Sequence, residues 1–139
     1  MKIETISWDT AWANLWDILP QAAYFTPSSI LTAADKANMK TVWVEDTARL
    51  GDEIDDGLAL SMLLSRAQVM GTVLLVTDFC FLPNQTPFMF LVENSVNFAT
   101  EYRAHTGEAV LSGTDTVIVC PKLKTVIVCD HDSHVAVIK

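Results

Sequence analysis

With 139 residues, half of them hydrophobic, and a positive mean hydropathy, the chain can bury a sizeable core. That excludes a disordered segment or polar linker and predicts a single domain over 1–139. Seventeen acidic residues against nine basic give a net charge of −8, which excludes a general nucleic-acid binder, whose affinity needs a basic stripe. No apolar stretch reaches the roughly 18 residues of a membrane span. Lys2 is followed by Glu4 and Asp9 with no apolar signal region, and Cys80, Cys120 and Cys129 are odd in number, so free thiols and a cytoplasmic location are expected.

Residues 2–6 alternate as a short edge strand. Ser7 caps a predicted helix from Trp8 to about Leu19, which Pro20 helps to terminate. Trp8, Trp12 and Trp16 recur every four residues beside Leu15 and Leu19, an aromatic stripe expected on the core side, with an exposed ridge for a partner as the alternative. Thr26-Pro27 starts a second helix, to about Asn38, and Thr41–Val44 is a strand candidate. The helix from about Ile54 to Met70 is apolar nearly all round, which predicts burial, with Gly71 suited to its end. Val73–Val76 is the most continuous apolar run and predicts a central strand. Thr86-Pro87 repeats the start signal, predicting a helix to about His105, and Ala109–Leu111 suggests a short strand.

The end of the chain predicts a three-stranded antiparallel meander. Thr116–Cys120 and Thr125–Cys129 are both Thr-Val-Ile-Val-Cys, and His134–Ile138 follows Asp130-His131-Asp132-Ser133. Centring each turn pairs Val119 with Val126, Val128 with Val135 and Cys129 with His134. That register collects Val117, Val119, Val126, Val128, Val135 and Val137 on one face. The fold class expected is therefore α+β, or mixed α/β, with helices packed on a mixed sheet.

Glu45–Asp56 is the most polar stretch, with Glu45, Asp46, Asp52, Glu53, Asp55 and Asp56 against the single base Arg49. Carboxylates at a helix start complement its dipole, but that needs only one or two of them. The stretch Gly51–Leu60 also resembles the calcium-binding motif of nucleoside hydrolases, in which paired aspartates precede an apolar helix. The aspartates that motif places at the tip of the preceding strand have no counterpart here, and the chain is far shorter, so that family is not assigned. A metal held by Asp52, Asp55 and Asp56 stays an alternative.

The second polar cluster, Asp130, His131, Asp132 and His134, lies next to Cys129. A Cys–His pair there would suit a small enzyme, and the carboxylates and imidazoles a metal. No phosphate loop, metalloprotease, CxxC or nucleophile-elbow motif is present, so no cofactor is expected and an enzyme is the weaker expectation. The leading expectation is a small acidic binding module of the inhibitor or immunity type. Glu45, Asp46, Asp52, Glu53, Asp55 and Asp56 would meet a basic protein partner, a toxin or effector. A structural protein that oligomerises is the third possibility.

Overall fold

The computed structural model describes residues 3–44 and 55–139. Among them, seven strands form one antiparallel sheet and four α-helices cover it. In chain order the elements are β1 (Glu4–Thr5), α1 (Trp8–Ile18), α2 (Pro27–Lys36), β2 (Thr41–Val44) and α3 (Asp56–Arg66). They continue with β3 (Thr72–Thr77), β4 (Phe88–Leu91), α4 (Ser95–Thr106), β5 (Thr116–Cys120), β6 (Thr125–Cys129) and β7 (Val135–Ile138). The sheet order is β1-β4-β3-β5-β6-β7-β2. This is the expected α+β domain with its C-terminal meander. Every pairing is antiparallel, so the sheet is not mixed.

The middle strands β5 and β6 are buried along their whole length, so both sheet faces are covered. One face carries Leu74, Val119 and Val126, and the other Leu75, Ile118 and Ile127. On the second face α4 packs through aromatic rings. Phe90 stacks on Phe98 at 4.1 Å between centroids, and Phe88 meets Tyr102 edge-on at 5.3 Å. The Tyr102 hydroxyl also shares a 2.7 Å hydrogen bond with Thr77 of β3. Helix α3 packs against α4, and α2 against β6. At Gly57 an added Cβ would come within 3.2 Å of the Val96 backbone, so glycine permits the close approach of α3 to α4.

Several expectations are corrected. The β5–β6 register is as predicted, but β6–β7 is displaced by one residue: Cys129 faces Val135, Val128 faces Ala136 and Val126 faces Ile138. The cause is the turn. Ser133 donates its N–H to the Asp130 carbonyl and has φ 65°, and Asp130 N–H bonds the His134 carbonyl. That is a three-residue loop with a left-handed third residue, not a centred four-residue turn. Val135 and Val137 therefore lie on the face opposite Val126 and Val128.

Residues 88–91 form a strand, not the start of a helix. Phe88 and Phe90 alternate inward, and that period-two burial overrides the Thr86-Pro87 signal. Residues 109–111 form no strand. Helix α3 ends at Arg66, with Gln68 rather than Gly71 taking the left-handed turn after it. It is not buried all round, because Leu58 and Met62 face outward. In α1 the buried row is Ala11, Leu15 and Ile18. Trp8 and Trp12 flank it against Phe25, while Trp16 is 48% exposed.

Candidate functional site: the acidic end of the sheet

Antiparallel topology fixes which loops meet. Thr77, Thr116, Cys129, Val135 and Val44 form one transverse row across β3, β5, β6, β7 and β2. The residues just beyond that row therefore share one end of the sheet. They are Asp78, Asp115, Asp130, His131, Asp132 and His134.

These side chains are organised. Asp78 Oδ2 accepts from the Thr114 hydroxyl at 3.1 Å and from Asp115 N–H at 3.3 Å. Asp115 Oδ1 accepts from His131 N–H at 2.9 Å and lies 3.1 Å from His131 Nδ1. His131 Nε2 in turn lies 3.5 Å from Asp132 Oδ2. Asp130 Oδ1 accepts the N–H groups of Asp132 and His134, both at 2.9 Å, and its Oδ2 lies 3.1 Å from His134 Nδ1. Desolvation works to raise the Asp130 pKa, but the hydrogen bonds from His134 and Asp132 outweigh it and hold the carboxyl below its ordinary value. The His131 pKa is raised, first by its hydrogen bond to Asp115 and then by the Asp132 charge.

Asp55 and Asp56 are committed to the fold. Asp55 caps α3, with Oδ1 accepting from Gly57 and Leu58 N–H at 2.9 and 3.3 Å. Asp56 reaches across to the loop before β5 and accepts from Val110 and Leu111 N–H at 2.8 and 3.3 Å. Glu45, Asp46, Asp52 and Glu53 lie outside the described residues. The chain enters that stretch after Val44 and leaves it at Asp55.

Cys129 and His134 are not brought together. The register places Val135 opposite Cys129, whose thiol is buried and directed at the carbonyls of Leu111 and Asp130. Burial, with the charges of Asp130 and Asp115 nearby, pushes its pKa up to about 12. A thiol so protonated is a poor nucleophile at neutral pH.

Asp78 and Asp115 were missed in the sequence. Each is an isolated aspartate one residue outside a β-branched run, and only the adjacency of β3 and β5 joins them to the Asp130 turn. The opposite end of the sheet carries lysines, with Asp17 3.8 Å from Lys124. Lys40 is bonded backbone to backbone with Lys139, and Lys122 and Lys124 occupy the β5–β6 turn. Four of the nine basic residues thus sit there. A cleft of about 500 Å³ runs along β2 from Lys40 to Val44, with Arg66 and Lys139 also lining it. Among the described residues no helix is long and apolar enough to cross a membrane. Compared with known proteins, the chain matches no family model, no curated protein and no solved structure.

Proposed function

We propose that the protein is a binding module whose acidic end engages a basic protein partner in the cytoplasm, as an inhibitor or immunity-type neutraliser. The observation that carries this is the gathering of carboxylates at one end of the sheet. Asp78, Asp115, Asp130 and Asp132 crowd one end, and the carboxylate-rich stretch 45–56 is joined to the fold at that same end. Asp78, Asp115 and Asp130 each accept a loop N–H group, yet gathering their charges at one end still costs repulsion. A cationic partner turns that repulsion into attraction, with faster encounter and a fixed orientation. Asp55 and Asp56 are frame residues in this arrangement, and the contacts fall to the remaining carboxylates. Free, buried cysteines suit a reducing compartment.

The test is co-purification from the native host with mass spectrometry. Wild-type protein is compared with a variant carrying Glu45→Lys, Asp46→Lys, Glu53→Lys and Asp132→Lys. The expected result is a basic protein retained by the wild type that associates at least roughly tenfold more slowly with the variant at low salt, the gap closing as salt rises. A partner that binds both proteins at the same rate would remove the acidic end from the interface.

A further inference from the structure

We propose that the β6–β7 turn is a divalent metal site, with Asp130, Asp132 and His134 as ligands. One candidate ligand atom from each of the three lies within 4.8 Å of the others. The donor set is mixed, two carboxylate oxygens and one imidazole nitrogen. Carboxylates alone would favour magnesium, calcium or manganese, but the imidazole shifts the preference toward zinc.

Asp130 is anchored by one oxygen. Asp130 Oδ1 is taken by the N–H groups of Asp132 and His134, which leaves Oδ2 on the side of His134 Nδ1. Asp132 Oδ2 faces His131 Nε2, and the other nitrogen of that ring is held by Asp115. Asp115 holds the His131 ring, which lies beside Asp132 at the rim of the site. An ion entering between Asp130 Oδ2 and His134 Nδ1 replaces the hydrogen bond they share. The ring then carries its single hydrogen on Nε2, and Nδ1 offers its lone pair. Asp132, His134 and the remaining coordination positions face solvent, so water completes the shell and the ion exchanges freely. The neighbouring Asp78 and Asp115 add to the field that draws a cation to this end.

The site is tested on the isolated chain, without a histidine tag and without any partner, so its failure leaves the partner proposal standing and the reverse. Calorimetric titration with zinc chloride should show one saturable site per chain. Manganese chloride should broaden the amide resonances of residues 130–134 before any others. Asp132→Asn and His134→Gln should each weaken zinc binding at least roughly tenfold while the metal-free melting temperature holds. His105→Gln, at the third histidine, should leave binding unchanged. The proposal is overturned by no saturable binding up to about 1 mM, the weak end of protein cation sites. It is equally overturned by affinity that survives either ligand substitution, or by binding that disappears with His105.

Discussion

Asp55 and Asp56 are adjacent and chemically identical, yet they hold different parts of the molecule. Asp55 satisfies the N–H groups of Gly57, which is buried, and Leu58, which is exposed, in the first turn of its own helix. Asp56 satisfies the N–H groups of Val110 and Leu111, residues that are themselves buried. Losing a cap costs about 1 kcal/mol. Orphaning two donors beside a core costs about 1–3 kcal/mol for each that water cannot reach. Asp56→Ala should therefore destabilise by roughly 2–4 kcal/mol and Asp55→Ala by about 1 kcal/mol. Urea unfolding of the two variants checks the order. Equal midpoints would show that the 109–111 loop finds other partners at no cost. The same comparison explains why charge reversal aimed at the acidic surface must leave Asp56 untouched.

At the scale of elements, β6 is an interior strand next to the central strand β5. It is flanked by β5 and β7 and buried on both faces. Val128, the fourth of its five residues, lies opposite Val117 and Ala136. Val128→Asp places an unpaired carboxylate where nothing can solvate it, at a cost of several kcal/mol. The variant should fail to melt cooperatively by circular dichroism; a soluble, cooperative variant would place β6 elsewhere. Burial of Val128 could be expected from the repeated pentapeptide alone, whereas its cross-strand partner on β7 could not. Periodicity determines which residues face inward within a strand, but register across a hairpin depends on one left-handed residue, and Ser133 carries no strong signal for it. β4 was hidden for a similar reason. Thr86-Pro87 is local, while the alternation of Phe88 and Phe90 acquires meaning only once β3 and α4 are there to receive the rings. The candidate site follows the same pattern. The Asp130–His134 turn was legible because its residues are contiguous, and Asp78 and Asp115 were not, because long-range pairing of β3, β5 and β6 brings them to it.

For the molecule as a whole, the charge distribution gives stability and binding opposite responses to salt. Seventeen acidic residues face nine basic ones, and the carboxylates that crowd one end repel each other across less than the ~30 Å over which charges interact at 10 mM salt. Attractive pairs at exposed positions gain little. Lys124 and Asp17 meet at 3.8 Å with both side chains about two-thirds exposed, a geometry whose value is small. Screening therefore removes more repulsion than attraction. The melting temperature at neutral pH should rise by about 2–4 °C between 10 and 300 mM sodium chloride, equivalent to roughly 1 kcal/mol in a domain of this size. Lysine substitutions at Glu45, Asp46, Glu53 and Asp132 should flatten that rise, because they remove its source. A melting temperature that falls with salt would show that ion pairs, not crowded carboxylates, dominate the surface. Association with a basic partner draws on the same field with the sign reversed, so it must slow over the salt range in which the fold gains stability. A protein whose acidic end served only to start a helix would show the first dependence weakly and the second not at all.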